Sequence, residues 1–84
     1  MYAIQVKKSA LKELAQISPP YNKKIIAAID ILAINPRPEG AKKLKGEEAF
    51  RIRVADYRVI YTIDDIIKIV DVQRIRHRKD AYKA

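Results

Sequence analysis

The sequence predicts a two-layer α+β domain, β-α-α-β-β-β in chain order, with a curled, largely antiparallel sheet covered on one face by a helical hairpin. Three observations carry this. Phe50 to Tyr82 is rich in Ile, Val and Tyr and is broken only at Ala55-Asp56 and Asp64-Asp65, the pattern of three consecutive strands. The first half holds two runs with apolar residues at helical spacing, separated by Ser18-Pro19-Pro20. In Phe50-Arg-Ile-Arg-Val54 the arginines alternate with apolar residues. Arg51 and Arg53 therefore share one face, and Phe50, Ile52 and Val54 the other. A sheet with one apolar and one arginine face needs a cover on the first and suits a polyanion on the second.

Tyr2-Ala-Ile-Gln-Val alternates, with Tyr2, Ile4 and Val6 on one face, and reads as the first strand. Ser9 is placed to cap a short helix in which Leu11, Leu14 and Ala15 point inward, while Lys12, Glu13 and Gln16 face water. Ser18-Pro19-Pro20 reads as the start of the next helix, a capping serine followed by prolines whose missing N–H costs nothing there; the alternative, a proline motif for an aromatic groove, fits less well. This second helix runs to about Ile34, with a core stripe at Tyr21, Ile25, Ala28, Ile29 and Leu32. Ile26, Ile31, Ala33 and Ile34 spread apolar surface around its other sides, so it is either wrapped within the domain, the favoured reading, or partly covered by a partner. Asn35-Pro-Arg-Pro-Glu-Gly40 ends it. Ala41-Lys-Lys-Leu-Lys-Gly46 is a basic loop or a short edge strand, and Gly46 with Glu47-Glu48 turns the chain into the arginine strands. The last strand has mixed parity. Ile67, Ile69 and Ile75 fall on one face, while Val70 and Val72 fall on the other with Lys68, Arg74 and Arg76; a buried central strand or one bulge explains this.

Eighty-four residues suit one domain, 1–84. With no cysteine, a disulfide framework and a cysteine metal site are excluded, in keeping with a cytoplasmic protein. The N-terminus has no long apolar run behind a basic start, so no signal peptide is expected, and no stretch reaches the length of a membrane span. Net charge is +8, and six of the seven arginines lie between Arg51 and Arg78. Arginine suits forked contacts to phosphate, which points to nucleic acid, an acidic protein partner, or both; the alternative is a charge that only keeps a small domain soluble.

At Lys43-Leu-Lys-Gly46, Phe50-Arg-Ile-Arg-Val54, Asp56-Tyr-Arg-Val-Ile-Tyr61 and Arg76-His-Arg-Lys-Asp-Ala-Tyr82 the chain resembles the RelE/ParE toxin superfamily of toxin–antitoxin modules. RelE-like members cut mRNA, typically in the ribosomal A site; ParE-like members poison DNA gyrase and lack the basic catalytic set; an inactive relative that only binds its antitoxin is a third alternative. The resemblance implies a catalytic set at Arg51 and Arg53 (often lysines in the family), Arg58, Arg76 and Tyr82. Lys43, Lys45, Arg74, Arg78, Lys79 and Lys83 are the accompanying RNA-positioning charges, although the C-terminal ones also read as a solvated basic tail. The implied partners are a cognate antitoxin carrying an acidic amphipathic segment, in a hetero-oligomer, together with mRNA and the ribosome. No membrane and no cofactor is implied.

RNA cleavage without a metal uses the ribose 2′-OH as nucleophile. A base must take its proton, cations must stabilise charge on the phosphate, and an acid must protonate the leaving 5′ oxygen. Arginines meet the second need, and neighbouring cations favour the ionised form of a tyrosine such as Tyr82, whose competing reading is an aromatic that packs the C-terminus. His77, the only histidine, neighbours Arg76 and on a continuing strand points away from it, so a direct role is disfavoured. Asp64, Asp65 and Asp71 show no metal-site spacing.

Overall fold

A computed structural model describes residues 1–81. The elements are β1 (Ala3–Val6), α1 (Lys8–Ala15), α2 (Tyr21–Ile34), β2 (Lys42–Lys43), β3 (Phe50–Val54), β4 (Tyr57–Asp64), β5 (Ile69–His77) and a single turn, α3 (Arg78–Ala81). The strands form one sheet in the order β1-β5-β4-β3-β2. Its last three pairings are antiparallel, and β1 lies parallel to β5. This is the expected α+β fold, with the basic segment after α2 supplying a two-residue edge strand.

β4 and β5 lie inside the sheet, and their apolar residues form its buried centre. Ile52, Val59, Tyr61, Val70, Val72 and Ile75 meet Ala10, Ile25, Ile29 and Leu32 of the helices. The parity conflict in β5 is resolved by a bulge. Ile60 pairs with Arg74, but Tyr61 pairs with Val72, which leaves Gln73 without a partner across the ladder. One extra residue reverses the alternation, so Val70, Val72 and Ile75 all reach the core while Arg74 and Arg76 share the opposite face.

Several local expectations are corrected. Ser9 is not a cap: α1 begins at Lys8 behind Lys7, with no side-chain cap bond. The inner face of α1 is rotated from the expected one, because the helix packs along β5. Ala10 is fully buried, Leu11 is half exposed, and Glu13 turns inward to bond β5. Ser18 starts α2 with its backbone rather than its hydroxyl; its carbonyl accepts from Tyr21 N at 3.1 Å and Asn22 N at 3.3 Å. Pro19 and Pro20 have no N–H to offer, so the first donors are those two residues. Of the expected α2 stripe, Ile25, Ile29 and Leu32 are buried, but Tyr21 lies at the surface against Tyr57, with ring centroids 6.1 Å apart. The helix is not wrapped: Ile26, Ile31 and Ile34 are 45%, 54% and 75% exposed.

The turns hold the layers in register. The β3–β4 turn has two loop residues, and Ala55, the first, has φ +54°, a conformation that matches the twist of a hairpin at some strain for a residue with a Cβ. In the β4–β5 turn the Asp64 carboxylate accepts from Ile66 N and Ile67 N at 3.0 and 3.1 Å.

Candidate nucleic-acid interface

The sheet face turned away from the core carries two rows of residues across the strands. In the first, Arg53 on β3 is opposite Arg58 on β4, and Arg58 is opposite Arg76 on β5. In the second, Lys42 on β2 is opposite Arg51, Arg51 opposite Ile60, and Ile60 opposite Arg74. Adjacent strands are about 4.8 Å apart, so the backbones carrying these three arginines span about 10 Å across the sheet. Like charges directly opposite one another destabilise a sheet. Conflicts of this kind are expected at functional or strained sites.

At the β5 end of these rows the surface is concave. A basin of about 670 Å³ is floored by Ile60, Thr62, Gln73, Arg74 and Arg76. Lys7, Lys12 and Glu13 line it on the α1 side, and Glu47 and Glu48 stand at its other rim. Glu13 accepts the Ile75 N–H at 3.1 Å through Oε1, and its Oε2 lies 3.3 Å from Arg76 Nε. The bulge aims Gln73 at the same face, where its amide donates to Thr62 Oγ1 at 3.4 Å. At the hairpin end, Arg78 joins Arg53 and Arg58 around a smaller hollow. Its backbone N–H donates to the Asp56 carbonyl at 2.6 Å, which fixes the start of α3 against the β3–β4 turn.

The expected residues are distributed as follows. Arg51, Arg53, Arg58, Arg74 and Arg76 are gathered on one face, with Arg78 beside them. Lys43 is not part of the rows: the register sets it opposite Phe50, on the other side of the sheet, and it pairs with Glu48 at 3.4 Å. Lys45 and Lys79 are exposed at the margins. Tyr82 and Lys83 lie outside the described residues. His77 belongs to the helix side, edge-on to Tyr57 at 5.0 Å, with Nδ1 accepting the Lys79 N–H. Two residues that sequence reasoning missed belong to this surface. Lys42 was hidden because a two-residue strand shows no alternation. Glu13 was hidden because a charged residue on a short helix reads as water-facing.

The second tyrosine of the hairpin motif is structural. Tyr61 is fully buried, donates its hydroxyl to the Pro36 carbonyl at 2.8 Å, and has its pKa pushed up by burial to about 12. It holds the loop after α2 to the sheet.

This sequence and fold fall within a known family. The model of the ParE toxin of the type II toxin–antitoxin system parDE matches residues 4–82. The chain belongs to the RelE/ParE toxin superfamily. It is similar to RelE1 of Methanocaldococcus jannaschii, with 34% identity over 88 aligned positions covering 98% of this chain and 96% of that protein. Among solved structures, the RelE–RelB complex of Pyrococcus horikoshii superposes with a TM-score of 0.83 at 26% identity, over 92% of this chain and 94% of the matched one. The RelBE2 toxin–antitoxin complex of Mycobacterium tuberculosis does so with a TM-score of 0.81, also at 26% identity, over 92% and 98%. The protein is the RelE-like toxin of a toxin–antitoxin module.

Proposed function

We propose that this RelE-like toxin is an endoribonuclease that cuts mRNA on the ribosome, without a metal, by attack of a ribose 2′-OH on the adjacent phosphate. The observation that carries the reading is the arginine row Arg53–Arg58–Arg76 on one face of the sheet, with Arg51, Arg74 and Lys42 in the next row. Positive charge set in place before the reaction is what a phosphate gaining negative charge needs. In this reading Arg53, Arg58 and Arg76 hold the scissile phosphate. Arg51, Arg74, Arg78, Lys42 and Lys45 track the flanking backbone, and Tyr82 transfers the proton. The partner is an antitoxin whose acidic amphipathic segment covers Ile26, Ile31 and Ile34 on α2; the relatives from P. horikoshii and M. tuberculosis are seen in complex with RelB.

The test is cleavage of mRNA on programmed ribosomes, read from the chemistry of the fragment ends. The expected fragments carry a 2′,3′-cyclic phosphate, or the 3′-phosphate formed from it, and a 5′-hydroxyl. A 2′-deoxyribose at the target removes the nucleophile and should abolish the cut. Tyr82→Phe should lower the rate by about 10² to 10⁴, the usual contribution of general acid–base catalysis. A 5′-phosphate product, or cleavage at the deoxy site, rules the mechanism out. The matched family model is that of ParE, which keeps a second reading in view, a non-enzymatic toxin that binds DNA gyrase or another protein. Intact mRNA on the ribosome together with inhibited supercoiling by gyrase would establish that reading instead.

A further inference from the structure

Glu13 sits where β5 runs past the end of β1. The pairing of those strands stops at Val6 and Val72, and Lys7 N–H closes it on the Val72 carbonyl at 2.9 Å. Beyond that point β5 is paired with β4 on one side and packed by α1. The Ile75 amide lies in this stretch and donates to Glu13 Oε1 at 3.1 Å. A carboxylate tied to the main chain by one oxygen presents the other in a defined place. Here that oxygen lies 3.3 Å from Arg76 Nε.

This contact is an ion pair that reaches the guanidinium at Nε alone, and the Arg76 side chain remains 47% exposed. The two terminal amino groups are the ones that suit a fork to phosphate. Arg58 stands directly across on β4, with Arg53 beyond it. Repulsion along the row would drive a flexible arginine at its end outward. A carboxylate at an anion site also repels the substrate, so Glu13 needs a compensating role there.

We propose that Glu13 is a positioning residue, which holds the Arg76 guanidinium in line with Arg58 and Arg53 so that the row is formed before a phosphate arrives. The proposal rests on the nuclease reading above, and Glu13 acts through Arg76. Glu13→Gln tests it, because glutamine keeps an oxygen for the Ile75 amide and removes the charge. On programmed ribosomes the maximal cleavage rate should fall about 10- to 100-fold, the scale of a misplaced catalytic group, with half-saturation unchanged or at lower concentration and the melting temperature unchanged. In the NMR spectrum, the Arg76 Nε–H signal, identified by its loss in Arg76→Lys, should sit apart from the free-arginine position in the wild-type protein and move toward it in Glu13→Gln. In a double-mutant cycle, Glu13→Gln should have no further effect on rate once Arg76 is lysine.

An unchanged maximal rate, an unchanged Nε–H signal, or additive effects in the cycle would each overturn the proposal. So would a rate loss explained by a lower folded fraction alone. If the wild-type toxin does not cut at all, it is the nuclease reading that fails, and the Nε–H signal still decides whether Glu13 holds Arg76.

Discussion

Arg37 shows how much one side chain outside the arginine rows can tie together. Its guanidinium meets both carboxylate oxygens of Asp65, at 3.1 and 2.8 Å, and lies over the Phe50 ring at 5.4 Å. The Tyr2 hydroxyl donates to the same carboxylate at 2.6 Å. Three distant segments, the residue before β1, the loop after α2 and the β4–β5 turn, thus meet at one exposed anion. The bonds from Arg37, and then the one from Tyr2, hold the Asp65 pKa at about 2, below its ordinary 3.8. A carboxylate depressed in this way stabilises the fold fully above the unfolded value and loses that contribution as pH falls through the folded one. The stability gap between the wild-type protein and Asp65→Asn should therefore close as pH falls from about 4 to about 2. Thermal melts of both across that window check this; a gap of constant size would show that the cluster contributes nothing linked to protonation.

At the scale of the elements, the sheet separates folding from function by its two faces. Ile25 on α2 is fully buried against the strands, whereas Arg53 on β3 is exposed on the far side. Ile25→Ala should cost roughly 2–5 kcal/mol, since it removes buried methyl groups and leaves a cavity. Arg53→Ala should stay within about 0.5 kcal/mol, as most exposed substitutions do. Denaturant unfolding of the two variants checks the assignment, and severe destabilisation by Arg53→Ala would mean that the faces are inverted. The bulge at Gln73 is the device that makes this separation hold along β5. Without it, the arginines or the valines of that strand would be on the wrong side.

For the whole molecule, charge and apolar surface act together. A net charge of +8 favours acidic partners, and the exposed isoleucines of α2 offer such a partner an apolar seat. In the proposed complex, Ile31→Asp would place a like charge against the acidic segment and remove apolar contact. Copurification with a coexpressed antitoxin should fall at least tenfold, a change of about 1.4 kcal/mol or more. Raising salt should weaken wild-type capture as well, because screening shortens the reach of exposed charges. Undiminished capture by Ile31→Asp would remove α2 from the antitoxin surface.

Periodicity was enough to read the order β1, α1, α2, β3, β4 and β5, the inward residues of β3, and the existence of an arginine face, because strand alternation and helical spacing are local properties of the chain; the closing turn α3 was read as strand. The same locality set the limit. Which strand lies beside which depends on where the chain returns, so the parallel pairing of β1 with β5, and with it the edge that α1 covers, was decided only by tertiary packing. The mixed parity of β5 was visible in Val70, Val72 and Ile75, but the ladder to β4 placed the bulge. Glu13 and Lys42 took their places from partners far along the chain, Ile75 and Arg76 for one and Arg51 for the other. A side chain's role at this surface follows from what stands across from it, and that is a property of the folded sheet.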